Sequence, residues 1–309
     1  MATKVRELTP VATPNSSHPN PLISHEKLQQ LYSMMLKCRL LDERARILEK
    51  QAGFKNDHYS SVGLEATAVG AAIDLLPADT LAPSHRDFIL SYLKGVPLTA
   101  MFSQLYGHNT RPENGRSALD DCGYAPLNIV LAASTVAAQL DVCTDIAFAN
   151  QRKKNDNVVM IFSDEGSIQL NDWHDALRFA GQRSLPIVFV HQSHRSAGSL
   201  SVKLESTGDD TSSEAVGYGF PGITVDGNDA VAVYRVAQEA TERARSGGGP
   251  TLIEAQTFPE YVSSDPIAAM ERYLAGKGLF SESWKKGIIA LFQQKLDAAV
   301  DVAENDRCG

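Results

Sequence analysis

The 309 residues can bury a large hydrophobic core, either as one large α/β domain or as two smaller domains. The formal net charge of −8 and the lack of any Lys/Arg cluster argue against nucleic acid as a partner. Because the sequence has no run of about 18 apolar residues and no signal-type N-terminus, we expect a soluble, cytoplasmic protein without membrane contacts. The four scattered cysteines lack metal-type spacing and are predicted to be reduced thiols.

The first half of the chain is predicted to be mainly helical. Residues 1–22 are rich in Pro, Ser, Thr and Asn and predict a flexible N-terminal arm. Apolar residues at helical spacing predict one long amphipathic helix over residues 25–51. A second helix is predicted to end near residue 76 and a third to span residues 88–93. Small apolar residues over 128–149 predict a buried helix, which we expect at a subunit contact.

The second half alternates between strand and helix patterns. A short strand is predicted from residue 223, a helix over 230–245 and a buried strand over 251–255. This alternation predicts a doubly wound α/β domain with a parallel sheet over residues 23–266. Two further helices make residues 267–309 a C-terminal helical extension.

Residues 158–198 are the most informative stretch. Apolar runs at 158–162 and 187–190 predict two buried strands, and each run is followed by polar residues, at 163–166 and 192–195. Parallel strands joined by a helix place both polar turns at the carboxyl edge of the sheet, where α/β proteins bind ligands. The connecting helix would bury one face, formed by Trp173, Ala176, Leu177 and Ala180.

These motifs resemble the alpha subunits of thiamine-diphosphate-dependent 2-oxo acid dehydrogenases of the pyruvate and branched-chain type. The similarity covers residues 26–282: residues 164–166 match the Gly-Asp-Gly turn of the family, residues 193–194 its Asn-Asn pair and residues 85–87 its Tyr-Arg turn. The resemblance implies a thiamine-diphosphate-binding fold and a Mg²⁺ ion that bridges the cofactor diphosphate. It also implies a beta subunit as partner, which supplies the Glu that activates the cofactor. The implied reaction is oxidative decarboxylation of a 2-oxo acid with acyl transfer to a lipoyl group.

The resemblance also implies a set of site residues. Arg86 matches the Arg that contacts the diphosphate, and Val136 lies where the backbone contacts the aminopyrimidine ring. The implied cofactor-binding residues are Tyr59, His85, Arg86, Val136, Gly166 and Ser167. The implied metal ligands are Asp164, Glu165, His194 and Ser196.

Several of these positions depart from the family pattern. Glu165 replaces the metal-binding Asp and is one methylene longer, and the neighbouring Asp164 is an alternative ligand. Mg²⁺ prefers oxygen ligands, whereas the His194 imidazole in place of an amide suits Zn²⁺, Mn²⁺ or Ni²⁺ better. Pro259 stands in the place of an Arg, and the family's acyl-transfer His is absent from this loop.

Three interpretations remain open from the sequence. The chain is a working alpha subunit, a non-catalytic relative that serves in assembly or regulation, or a protein whose site has been altered for another ligand or metal. Self-association is an alternative to a beta subunit as partner. Each acidic or imidazole side chain also has a simpler interpretation, since Asp164 and Glu165 can cap the following helix and His194 can be an ordinary loop residue.

Overall fold

The computed structural model describes residues 23–52, 60–84, 88–106, 124–130, 136–164, 171–194, 211–257 and 265–305. Seven of the predicted site residues lie outside these ranges. None of the helices in these ranges is both long enough and apolar enough to cross a membrane.

The described chain forms one five-stranded sheet in which every paired strand runs parallel to its neighbour. The strands are β1 (Thr80–Ala82), β2 (Val159–Asp164), β3 (Ile187–His194), β4 (Gly222–Asp226) and β5 (Thr251–Thr257). Their spatial order is β1-β2-β3-β5-β4, so β1, β2 and β3 are neighbours both along the chain and in the sheet. Parallel neighbours require crossover connections, and helices supply them here.

Ten α-helices lie within the described ranges and surround this sheet. Some of them begin at a capping residue; Asp229, for example, accepts hydrogen bonds from the first-turn amides of Val231 and Ala232. The helices are α1 (His25–Ala52), α2 (Glu65–Ala72), α3 (Phe88–Leu93), α4 (Leu98–Leu105), α5 (Val136–Lys153), α6 (Asn171–Arg183), α7 (Thr211–Gly217), α8 (Ala230–Arg245), α9 (Pro266–Gly276) and α10 (Glu282–Asn305).

Both faces of the sheet are covered by helices. Alternate residues of β2 and β3 face opposite ways, so Met160 packs in one core with α1, α2 and α8, while Ile161 packs in another with α5 and α6. The predicted buried face of α6 is confirmed, because Trp173, Ala176, Leu177 and Ala180 are all buried. Helices on two faces of a parallel sheet make this a doubly wound α/β fold, as predicted.

A third core lies away from the sheet, between α1, α4 and α10. Phe292 and Leu296 of α10 are buried there beside Phe102 of α4 and Leu41 of α1. The C-terminal helices therefore pack directly on the first helix of the chain.

Two predicted helix boundaries are wrong, and each has a local cause. The second helix ends at Ala72, and the helical bonding pattern does not continue after it: the Leu75 amide bonds to the Ala72 carbonyl three residues back, and the Leu76 amide bonds to the Asp79 side chain. Within the described residues, the helix predicted over 128–149 spans Val136–Lys153. Asn128 adopts a left-handed φ of 55°, and Ile129 forms a β-bridge with Leu81, so this part of the chain is not helical. Val142 of this helix is 47% exposed. The burial of the helix at a subunit contact stays a prediction.

Candidate functional site

The carboxyl ends of three neighbouring strands meet at one edge of the sheet. Ala82 at the end of β1 pairs with Ile161 in β2, and Asp164 at the end of β2 pairs with Gln192 in β3. His194 ends β3 two residues further on. The chain leaves this edge at three adjacent points, and the segments that carry Arg86, Glu165 and Ser196 follow directly.

Three of the predicted site residues lie within the described chain. Asp164 is the last residue of β2 and is partly buried, His194 is the last residue of β3, and Val136 is the first residue of α5. The other seven lie outside the described residues, namely Tyr59, His85, Arg86, Glu165, Gly166, Ser167 and Ser196. The structure therefore brings Asp164 and His194 to the same edge of the sheet and leaves the predicted roles of the others as predictions.

The described polar residues after the two apolar runs, 163–164 and 192–194, are strand and not turn; the rest of each predicted turn lies outside the described residues. Ser163 and Asp164 continue β2, and residues 192–194 continue β3. The cause is strand pairing: β3 pairs with β5 up to His194 and Thr257, and β2 pairs with β3 up to Asp164 and Gln192. The strand ladder therefore carries polar side chains up to its carboxyl edge.

Helix α5 is fastened to the segment before the predicted Arg86 turn. The buried side chain of Gln139 donates a hydrogen bond of 2.8 Å from Nε2 to the carbonyl oxygen of Pro83. Pro83 lies directly after β1 and two residues before His85, and Gln139 lies in the first turn of α5. This bond places the start of α5, where Val136 lies, beside the end of β1.

Helix α1 holds the segment that directly follows Tyr59. The buried carboxylate of Asp42 accepts bonds from Ser60 Oγ at 2.7 Å and from the Ser61 amide at 2.9 Å, directly after Tyr59. One turn earlier, Arg39 binds both oxygens of the Glu65 carboxylate at the start of α2. Burial raises the pKa of Glu65, and the Arg39 guanidinium opposes that shift.

A buried polar network lies under the carboxyl edge on the α6 and α7 side of the sheet. Ser163 Oγ lies 3.3 Å from Nδ1 of the fully buried His191. On the next strand, the buried Glu254 accepts a bond of 2.9 Å from the amide of Ser212 in α7 and one of 3.4 Å from Ser193 Oγ. Polar groups are buried only at a cost unless they are hydrogen-bonded, and the Glu254 carboxylate meets that requirement through its two bonds.

Sequence reasoning missed these supporting residues. A signal was present for Glu254, because a carboxylate within the apolar strand Thr251–Thr257 must be bonded if it is buried. His191 gives a similar signal at the end of an apolar run. Their partners lie on other elements, so the sequence alone does not identify them.

Within the described residues, no group of three or more His, Cys, Asp or Glu side chains could hold a metal ion. Asp164 fits a hard cation such as Mg²⁺, because it brings a carboxylate oxygen to the strand edge. The remaining ligands of the predicted set belong to residues whose side chains are not described.

The fold and this edge define a doubly wound α/β protein that gathers polar residues at the carboxyl ends of adjacent parallel strands. The family model described as "Dehydrogenase E1 component" matches residues 32–261, and the chain belongs to this family. The resemblance deduced from the sequence motifs is thereby confirmed.

Curated relatives are similar over most of their length. The 2-oxoisovalerate dehydrogenase subunit alpha of Bacillus subtilis (strain 168) is 30% identical over 305 residues, covering 92% of each chain. The pyruvate dehydrogenase E1 component subunit alpha of Staphylococcus aureus (strain Mu50) is 28% identical over 309 residues, covering 92% of this chain and 80% of the relative. The 3-methyl-2-oxobutanoate dehydrogenase subunit alpha of Mycobacterium tuberculosis is 32% identical over 288 residues, covering 87% of this chain and 76% of the relative.

Proposed function

We propose that the chain is the alpha subunit of a thiamine-diphosphate-dependent 2-oxo acid dehydrogenase. The observation that carries this proposal is the meeting of the β1, β2 and β3 carboxyl ends at one edge of the sheet. The segments that follow these strands contain the residues implied to bind the cofactor and metal. Family membership and the names of the relatives support the same conclusion.

The protein's own contribution is to bind and orient the cofactor. Thiamine diphosphate, when bound, supplies the group that stabilises the carbanion formed on decarboxylation. Arg86 would neutralise its diphosphate with a charge-assisted hydrogen bond, and Gly166 and Ser167 would approach the phosphates through the backbone. Tyr59, His85 and the backbone near Val136 would complete the cofactor contacts.

A divalent metal would bind at the ends of β2 and β3. Asp164 and Glu165 offer carboxylate oxygens, Ser196 offers a polar group, and His194 offers an imidazole. Mg²⁺ is the ion that the family resemblance implies. The His194 imidazole favours Mn²⁺, Zn²⁺ or Ni²⁺ in addition, so a comparison of metals is part of the proposal.

We propose a beta subunit as the partner, with a lipoyl domain as the acyl acceptor. The family resemblance implies that the beta chain supplies the Glu that activates the cofactor. The active site of the alpha chain would therefore be incomplete without the beta chain. We also propose that the protein acts in the cytoplasm. The 2-oxo acid itself is left open, since the relatives act on different substrates by name.

The test is reconstitution of the purified chain with a beta subunit from the same source, thiamine diphosphate and Mg²⁺. We expect release of CO₂ from pyruvate or from a branched 2-oxo acid, followed by acylation of a lipoyl domain. Arg86→Ala is the matched variant and should lower the activity at limiting cofactor. Absence of CO₂ release from every 2-oxo acid, with a complex that forms normally, would contradict the proposed activity.

A second function is favoured by one specific feature, the altered acyl-transfer loop. Pro259 replaces the family's Arg, and no His lies in residues 257–266. A non-catalytic relative that serves in assembly or regulation would retain the fold and the beta contact while losing these residues. Formation of a stable complex with the beta subunit without cofactor binding would support this second function.

A further inference from the structure

We propose that Glu254 is a positioning residue that holds the end of β3, and with it His194, in a fixed relation to helix α7. This inference rests on the proposed function in so far as His194 contributes to the metal site. The contacts that carry it belong entirely to described residues of β3, β5 and α7 and do not depend on the cofactor.

Glu254 lies in the middle of the buried strand β5 and is 4% exposed. Its two carboxylate oxygens bind different elements: Oε2 accepts the Ser212 amide at 2.9 Å, and Oε1 accepts Ser193 Oγ at 3.4 Å. Gln256 Nε2 donates a third bond of 3.2 Å to Oε1. A buried carboxylate that binds two separate elements fixes the distance between them, because neither partner can withdraw without leaving the charge unsatisfied.

The α7 end of this connection has no room to shift. Ser212 Oγ lies 2.7 Å from Thr224 Oγ1 on β4. The backbone of Ser212 also touches β4 so closely that a Cβ atom on Gly222 would lie 1.7 Å from the Ser212 carbonyl oxygen. Helix α7 is therefore held against β4 on one side and by Glu254 on the other.

The β3 end is held in two ways. Thr257 Oγ1 donates a bond of 3.2 Å to the carbonyl oxygen of Ser193, in addition to the ladder between Ser193 and Gln256. The hydroxyl of Ser193 then reaches Glu254. Ser193 precedes His194 directly, so a loss of the Glu254 contact acts on the backbone position of the predicted metal ligand.

Glu254→Gln tests this role with little change in volume. An amide has only one oxygen, so if that oxygen accepts from the Ser212 amide, an NH₂ group replaces the oxygen that accepts from Ser193 and faces the Gln256 Nε2 donor. Glu214→Gln is the matched control, because Glu214 also lies in α7 and its ion pair within the described residues is with His174 of α6, at 3.9 Å. Ser193→Ala is a second variant that removes only the β3 contact and keeps the buried carboxylate bonded to Ser212.

The first readout is limited trypsin digestion of the cofactor-free chain under native conditions. Arg195 and Lys203 lie between β3 and α7 and report on this region, whereas Lys277 between α9 and α10 is the internal reference site. We expect cleavage at Arg195 and Lys203 to be about tenfold faster in Glu254→Gln, with Lys277 and Glu214→Gln unchanged. Ser193→Ala should show a smaller increase at the same two sites.

The second readout is the affinity for Mn²⁺ with thiamine diphosphate, which should fall in Glu254→Gln and in Ser193→Ala but not in Glu214→Gln. Unchanged cleavage at Arg195 and Lys203, or an equal increase at Lys277, would overturn the positioning role. If the wild-type chain assembled with its beta subunit binds no cofactor, the proposed function fails, and the digestion pattern still decides whether Glu254 holds β3 against α7.

Discussion

Arg245 at the end of α8 binds the carboxylate of Asp79 through two N–H groups, Nη1 to Oδ1 at 3.0 Å and Nη2 to Oδ2 at 2.8 Å. Asp79 is fully buried and also accepts the amides of Leu76 at 2.8 Å and Val158 at 2.9 Å. Because Asp79 precedes β1 and Val158 precedes β2, one carboxylate holds the starts of both strands. This anchor lies at the edge of the sheet opposite the candidate site.

Asp79→Ala should lower the free energy of unfolding by about 3–5 kcal/mol, because it leaves a partly buried guanidinium and two amides without their partner. Urea unfolding followed by circular dichroism measures this change. The control is Arg178→Ala, which breaks the exposed Asp175–Arg178 pair and should cost less than about 1 kcal/mol. Equal costs for the two variants would contradict the role given to Asp79.

Two glycines in helices should respond in opposite ways to alanine. A Cβ atom on Gly181 in α6 would lie 2.2 Å from the carbonyl oxygen of Tyr218, so Gly181→Ala should destabilise the fold by about 1–3 kcal/mol. A Cβ atom on Gly287 in α10 would have no neighbour within 4 Å among the described residues, and Gly287→Ala should stabilise by about 0.5–1 kcal/mol. Thermal unfolding of both variants distinguishes a packing role from helix propensity, and stabilisation by Gly181→Ala would refute the close contact.

The buried thiol of Cys143 should make the protein less stable at alkaline pH. Burial raises the pKa of Cys143 to about 12, whereas an unfolded thiol loses its proton near pH 8.5. Between these values the folded state binds more protons than the unfolded state, so stability falls as the pH rises. The contribution of this one group is about 1.4 kcal/mol per pH unit over that window.

Urea unfolding of the wild type and of Cys143→Ala from pH 8 to pH 10.5 isolates this contribution. Other alkaline groups, such as Cys38 and Tyr92 with their own raised pKa values, affect both proteins equally and cancel in the difference. The wild type should lose stability more steeply than the variant above about pH 9. Parallel pH profiles would show that the Cys143 thiol titrates normally in the folded protein.

Arg86→Ala should weaken the binding of thiamine diphosphate by about 1.5–3 kcal/mol, the cost of a lost charge-assisted hydrogen bond. Thiamine without phosphates serves as the control ligand, since its affinity should not depend on Arg86. Isothermal calorimetry measures both affinities. An unchanged affinity for the diphosphate would remove Arg86 from the site.

The sequence predicted elements well where their limits are set by local chemistry. Helix α8 spans the predicted residues 230–245, because Asp229 caps its start and three consecutive glycines follow its end. The family was also predicted correctly, since each of its motifs is a short run of consecutive residues that can be recognised without the fold. Strand β1 was missed, because three residues carry no periodicity and become a strand only by pairing with β2.

The supporting residues of the site were less predictable. Gln139, Asp42 and Glu254 act on partners in other elements of the fold. Nothing in the neighbouring sequence distinguishes Gln139 or Asp42 from ordinary polar helix residues, and the apolar strand around Glu254 indicates that its carboxylate is bonded but not to which partner. The polar ends of β2 and β3 were predicted as turns for the same reason, because the end of β2 becomes strand by pairing with β3 and the end of β3 by pairing with β5.

The central claim is that the carboxyl edge of this sheet binds thiamine diphosphate together with a divalent metal. Calorimetric titration of the purified chain tests it most directly, with thiamine diphosphate plus Mg²⁺ and then plus Mn²⁺, each with and without the beta subunit. We predict binding that requires the metal and tightens when the beta subunit is present. Absence of binding with either metal, in the presence of a correctly assembled beta subunit, would contradict the claim.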